Sequence, residues 1–323
     1  MTWRQRRDEA LFTLEQPGAR GDERSAAARR LRDLVDEKGF HAEAGDLCKR
    51  LLYDRQDEVR RAGLEIAIQC LPAEQLADCL PTLIADPSAL VRVQVAGFLA
   101  DREESSCLEQ LRLLLTDSDV PVRFEAARGL AALGDASGLE VLTDALRDGD
   151  VRFRALGALA VLGDVRALPA VRALFGRVWL PPYERTQAAG VLAKLGDTEA
   201  AAFLVERTHL RRGMDRAFAI ELCGEVKAPG ARARLGHILA DRSDAYRGAA
   251  ARGLGRLGEL GALPELLAVV EDASEPDELR LDAAEGCLRL VGAVRREQIA
   301  ALLQTLKADW ARNEARDLLE LYA

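Results

Sequence analysis

The chain has 323 residues and is 49% hydrophobic but only 5% aromatic; its apolar mass is mostly Ala, Leu and Val, a composition that favours helices. Charged residues make up 30% and the formal net charge is −8, which excludes a bundle of membrane-spanning helices and argues against nucleic acid, whose phosphates need clustered Lys and Arg. The charge is uneven: from Glu259 onward, 14 acidic and 7 basic residues leave a net of −7.

The opening stretch, MTWRQRRDEALFTLEQ, has no apolar core followed by a small-residue cleavage site, so it is not read as a secretory signal. It reads as a helix ended by Pro17-Gly18. Six scattered cysteines with no C-x-x-C pair argue against a disulfide framework or a zinc ribbon and fit reduced thiols in the cytoplasm. Residues 22–52 read as a degenerate first repeat, with ERSAAARRLRDLV as one helix.

From there a single phrase recurs. Val59-Arg60, Val91-Arg92, Val122-Arg123, Val151-Arg152, Tyr246-Arg247 and Leu279-Arg280 occupy one slot, and Arg185 and Arg216 fill it with a polar or acidic residue before them. The arginines are spaced 32, 31, 29, 33, 31, 31 and 33 residues apart. Small residues follow, as in Val95-Ala96 or Ala126-Ala127, then an apolar residue such as Leu99 or Leu130, then Leu-Gly-Asp at 133–135, 162–164 and 195–197. Glycine there is a helix stop, because it accepts a left-handed backbone. Val122, Ala126, Leu130 and Leu133 share one helical face. A second apolar stretch follows in each unit, with Pro169 or Pro264 near its start. Each unit is therefore two antiparallel helices, and stacking is the way such hairpins bury both apolar faces. The final ADWARNEARDLLELYA is a more polar capping helix.

The D-x5-R pairs Asp54 with Arg60, Asp86 with Arg92, Asp117 with Arg123 and Asp241 with Arg247 resemble the HEAT repeat. The likeness is to the short bacterial form of the phycobilisome-lyase-like (E/Z) group and covers about residues 54–304. The resemblance implies an all-α fold, a right-handed α-solenoid of about eight to nine two-helix repeats, with caps at 1–20 and 305–323 around one repeat array at 21–304. It also implies that the Asp and Arg form a ladder between repeats. Asp148 stands too close to Arg152, and Pro181 and Ser274 stand at or near the Asp position elsewhere, so the ladder is expected to break in those repeats.

In that family the Arg-bearing helix lines the concave face. A helical wheel then places Val93, Phe124 and Phe153 where water is expected; they either form a docking patch for a protein partner or cover one another between repeats. The next column holds Arg128 and the glycines Gly157 and Gly190, either for close approach of a ligand backbone or through drift in an Arg-rich composition. Arg207, Arg211, Arg212 and Arg216 in RTHLRRGMDR form a possible anion patch or a solvated turn. Trp179 and Tyr183 in GRVWLPPYER are either exposed anchors or fillers of an irregular junction.

No catalytic, metal or cofactor residue is assigned. His41, His209 and His237 lie in no H-E-x-x-H or His-Glu pair, which metal-dependent hydroxylases of this fold need, and no phosphate loop or nucleophile elbow is present. The expected role is a non-enzymatic cytoplasmic scaffold or adaptor for another protein. The resemblance offers a second role, an accessory subunit that attaches or removes a bilin chromophore together with another HEAT-type subunit. A HEAT-like DNA glycosylase is a remote third, opposed by the acidic charge.

Overall fold

The structure is a computed structural model and describes residues 2–37 and 39–322. It contains α-helices and short 3-10 turns, with no strand among the described residues. Contacts divide the chain into two compact units, Met1–Leu142 and Thr143–Ala323. That boundary falls inside the stretch 21–304 assigned from sequence to one repeat array.

The first unit holds α1 (Trp3–Glu15), α2 (Gly21–Arg32), α3 (Ala44–Leu52), α4 (Asp57–Cys70), α5 (Ala73–Ile84), α6 (Ala89–Arg102), α7 (Leu108–Leu114) and α8 (Val120–Ala132). Helix α9 (Leu139–Ala145) straddles the boundary. The second unit continues with α10 (Arg152–Leu162), α11 (Leu168–Phe175), α12 (Pro182–Lys194), α13 (Thr198–Arg207), α14 (Met214–Glu225) and α15 (Ala231–Ala240). It ends with α16 (Arg247–Leu257), α17 (Leu263–Glu271), α18 (Asp277–Val291), α19 (Arg296–Leu303) and α20 (Asp309–Leu321). The repeat is an odd-numbered helix followed by an even-numbered one, and the phrase beginning at each V-R is the even helix.

The Leu-Gly-Asp element does two jobs. Gly134, Gly163 and Gly196 take φ of 75°, 66° and 95° and end their helices. The aspartate after each then starts the next turn: Asp135 accepts from Ser137 N at 2.8 Å, Asp164 from Arg166 N at 2.9 Å and Asp197 from Glu199 N at 3.0 Å.

Within each unit the even helices pack side by side, α4 on α6 on α8 and α12 on α14 on α16 on α18, while the odd helices pack chiefly on the even ones. The even row is thus the more closely packed row of each unit, the one expected from sequence to lie on the inner side. Buried Val91, Ala96, Leu99, Val122, Ala126 and Leu130 form the seam in the first unit.

Most ladder arginines reach two ways. One arm reaches back and donates to a main-chain carbonyl at or just past the end of the preceding odd helix, where carbonyls have no partner inside the helix. Arg60 does this at Asp54 O (2.8 Å), Arg92 at Asp86 O (2.8 Å), Arg152 at Leu146 O (2.8 Å) and Arg247 at Leu239 O (2.8 Å). The other arm grips a carboxylate one repeat further on. Arg60 takes Asp86 with two bonds of 2.7 Å, and Arg92 takes Asp117 at 2.7 and 2.9 Å. Arg24 in α2 does the same to Asp54, so the degenerate first repeat already carries the ladder.

Two expectations are corrected here. Asp241 does not serve Arg247; it accepts from Ser243 N at 2.9 Å. The expected breaks are found only in part: Arg185 and Arg280 grip no carboxylate of a following repeat, yet other rungs persist where the aspartate position is lost. Arg152 pairs with Glu184 at 2.8 Å, Arg216 with Asp244 at 3.1 Å, and buried Arg247 with buried Glu275 at 2.7 and 2.8 Å. The carboxylate has migrated along the loop, and at two of these sites a glutamate supplies the extra methylene of reach. Arg123 holds Asp117 O at 2.7 Å and Ser118 O at 2.8 Å. Arg185 bonds the carbonyls of Arg177 (2.5 Å) and Val178 (3.2 Å). Arg280, fully buried, bonds Val270 O at 2.9 Å and the Thr305 hydroxyl at 2.5 Å.

The ladder sets an acid limit on stability. Arg247 holds the Glu275 carboxyl below its usual value, and Arg92 does the same to Asp117. A depressed carboxylate contributes stability above its unfolded pKa and loses it as pH falls through the folded value. The urea midpoint is therefore expected to stay flat near neutrality and to fall below about pH 4.5, the ordinary glutamate value; a midpoint that rises on acidification would contradict it.

Candidate functional site

Three even helices of the second unit present apolar side chains to solvent at one place. Phe153 follows Arg152 in the first turn of α10, and Tyr183 stands in the first turn of α12. Both are about half exposed, with ring centroids 5.4 Å apart and planes tilted by 42°. Met214 opens α14 and is 87% exposed. Ala217 and Phe218 lie a turn further along and are half-buried. Together with Glu221 they line an open groove of about 490 Å³.

The groove walls are positioned by polar contacts behind them. Gln187 in α12 donates to Phe153 O at 3.0 Å. Thr186 and Arg207 both bond the carboxylate of Asp215, which ties the start of α14 to α12 and α13. The Tyr246 hydroxyl accepts from Gly213 N at 2.8 Å and so fixes the turn before Met214.

Across Ala217 the groove continues into a charged hollow of about 380 Å³, bounded by Gly248, Arg252, Glu278 and Asp282 among others. Arg252 bridges Glu221 (2.6 Å) and Asp282, and Arg256 adds a second bond to Glu221 at 2.8 Å. Burial pushes the Glu221 carboxyl up, but the two guanidinium groups outweigh it and hold the group below its usual value. Asp282 goes the other way. Burial raises it, Arg252 only partly offsets this, and Glu278 and Glu285 push it further up. A Cβ on Gly248 would overlap the Asp282 carboxylate, so glycine makes the room for it.

Residues 76–160, 108–183 and 213–288 match the HEAT-repeat family, together more than half of the chain. The chain is a HEAT-repeat protein. No curated protein matches it in sequence. Among solved structures it is similar to the complex of CpcE and CpcF of phycocyanin lyase from Nostoc sp. PCC7120, at 20% identity over 76% of this chain and 94% of that one, with a TM-score of 0.46. It is similar to the Escherichia coli protein YibA at 19% identity over 89% and 95% of the two chains, with a TM-score of 0.41. Human deoxyhypusine hydroxylase in complex with glycerol gives 22% identity over 77% and 96%, with a TM-score of 0.32.

The inner row of this HEAT protein receives the sequence-predicted residues unevenly. Phe153 and Tyr183 meet in the groove. Phe124, expected to face water, is only 3% exposed and so is buried instead. Val93 is half-buried against the hydrophobic core of the first unit, and Arg128 bonds Glu125 at 3.0 Å and Asp101 at 2.7 Å. Gly190 is buried, and a Cβ there would come within 2.9 Å of Leu222; close approach is made by the neighbouring repeat, not by a ligand. Gly157 is open, its nearest neighbour being Gln187 at 4.0 Å. Exchanging Gly157 for alanine is expected to stabilise the protein by about 0.5–1 kcal/mol in urea unfolding, since a helical alanine restricts the unfolded chain.

The four arginines of RTHLRRGMDR do not act together. Arg207 is committed to Asp215, and Arg216 is buried between Asp244 and the Tyr246 ring, 4.8 Å from its centroid. Arg211 and Arg212 remain exposed. Trp179 is 94% exposed on the α11–α12 loop and fills no gap; it does not line the groove. Met214 and Phe218 were missed by the sequence reading. Their signal was a spacing of four residues bracketing Ala217, already in the inner column.

Chemistry is sparse elsewhere. Among the described residues no group of three or more His, Cys, Asp or Glu side chains is placed to hold a metal ion. Burial pushes the thiols of Cys48, Cys223 and Cys287 up to about 12, which leaves no thiolate at neutral pH. His41 sits 3.0 Å from the carbonyl of Val35.

Proposed function

We propose that this HEAT protein is a non-enzymatic cytoplasmic scaffold that docks a partner protein on the inner row of its second unit. One observation carries the reading: Met214 stands almost fully in water beside the half-exposed Phe153–Tyr183 pair, in a groove with almost no polar lining. Long apolar side chains gathered in a concavity are stabilised by an occupant that removes them from water. The net charge of −8 favours a protein partner over a nucleic acid.

The test is affinity capture from the native cell with the wild type and with Phe153→Ser combined with Met214→Ser. Both side chains are exposed, so the double variant is expected to melt within about 2 °C of wild type, surface changes being small in their effect on stability. At least one captured protein is expected to be lost with the variant. Identical captured sets from the two would overturn the reading.

A further inference from the structure

We propose that the occupant of the groove is a helical segment of a partner protein, with an apolar side chain in the Phe153–Tyr183–Met214 hollow and a lysine or arginine at Glu278 and Asp282. This rests on the docking reading above and names the chemistry of what docks. The two hollows meet at Ala217, so one ligand spans both.

The cation follows from the pairing of charges around the second hollow. Asp244 is held by Arg216, Glu275 by Arg247, and Asp272 by Arg242 at 2.6 Å. Arg252 is shared between Glu221 and Asp282, and Arg256 also holds Glu221. Glu278 is exposed and makes no ion pair among the described residues. Five arginines thus face six carboxylates, and the one surplus negative charge falls on Glu278, beside Asp282 in the same hollow. A guanidinium or ammonium delivered beside them restores the balance, and a desolvated pair of this kind strengthens through its hydrogen bonds.

Helical form follows from the first hollow. An extended peptide would press unpaired N–H and C=O groups onto Phe153, Tyr183, Met214 and Phe218, which offer nothing in return. A helix satisfies its own backbone and presents side chains at three- and four-residue spacing. A second copy of this chain fits poorly, because each brings a net charge of −8.

The probe is a phage-displayed random peptide library panned on the intact protein. Enriched peptides are then synthesised with a fluorescent label and their affinities measured by anisotropy. The enriched set is expected to pair an aromatic or long aliphatic residue with Lys or Arg one to two helical turns away. Glu278→Gln is expected to weaken binding at least about tenfold, as for loss of a charged hydrogen-bond partner, with the melting temperature unchanged. Added salt is expected to weaken it as well.

An acidic or uncharged consensus, the absence of any enriched peptide, or unchanged affinity with Glu278→Gln would overturn the inference. If Phe153→Ser and Met214→Ser still abolish binding in that last case, docking in the groove stands and only the cation is wrong. If none of the three variants matters, both readings fail. A concentration-dependent dimer in sedimentation that Met214→Ser dissolves would assign the groove to a second copy and likewise overturn the inference.

Discussion

Glu275→Ala is expected to destabilise the second unit by about 3–5 kcal/mol, because it leaves a buried guanidinium without its counter-charge. Arg247 and Glu275 are both buried, joined by two parallel bonds of 2.7 and 2.8 Å, and the third Arg247 bond closes the end of α15 at Leu239 O. Asp241 and Asp272 act on Arg247 only through space, and among the described residues no carboxylate other than Glu275 bonds it. Equilibrium urea unfolding followed by circular dichroism reads the effect. The double variant Arg247→Met with Glu275→Leu is expected to recover most of the loss, since a buried ion pair and an apolar pair of similar volume are often nearly equal in stability. A loss under about 1 kcal/mol for Glu275→Ala would place this pair with exposed salt bridges and refute the buried-ladder account.

Gly224→Ala is expected to cost at least about 3 kcal/mol, at the upper end for overpacking, because the obstacle is main chain rather than side chain. A Cβ at Gly224 would come within 2.7 Å of the Cα of Gly253 and collide with its carbonyl oxygen. The next helix repeats the arrangement, with a Cβ on Gly255 falling 2.5 Å from the Cα of Gly286. Helices α14, α16 and α18 therefore touch backbone to backbone, and an added methyl has to push whole helices apart. Thermal melts of Gly224→Ala and Gly157→Ala side by side make the comparison sharp: the first is expected to fall and the second to hold or rise. Equal melting temperatures would mean that α14 and α16 are not in contact as described.

The repeat was legible because its period survives insertions: an arginine near every 31 residues, preceded by Val in four of the eight repeats, is a strong one-dimensional signal, and the Leu-Gly-Asp stops locate the helix ends. Partner choice along the ladder was less legible. Sequence spacing suggests that Asp241 serves Arg247, yet the arginine reaches forward to Glu275, a contact 28 residues away that local spacing does not reveal. The same blindness affected the glycines. Sequence flags a glycine inside a helix but not the neighbour it faces, so Gly157 and Gly190 looked alike although one is open and the other packs on Leu222. Phe124 and Phe153 occupy the same repeat position, and only the packing around each decides that one is buried and the other forms half of the groove wall.

The glycine contacts also give the second unit an uneven stiffness. Where main chains of α14, α16 and α18 rest on one another, no side chain can rotate to relieve a load, so that jaw moves as one piece. On the α10–α12 side, neighbours meet through the Phe153–Tyr183 rings, and Leu222 cushions Gly190. Arg185 there clasps loop carbonyls instead of a carboxylate in the following repeat. An arriving ligand would thus press a compliant lip against an unyielding anvil, and slower amide exchange on binding should concentrate in α10 and α12.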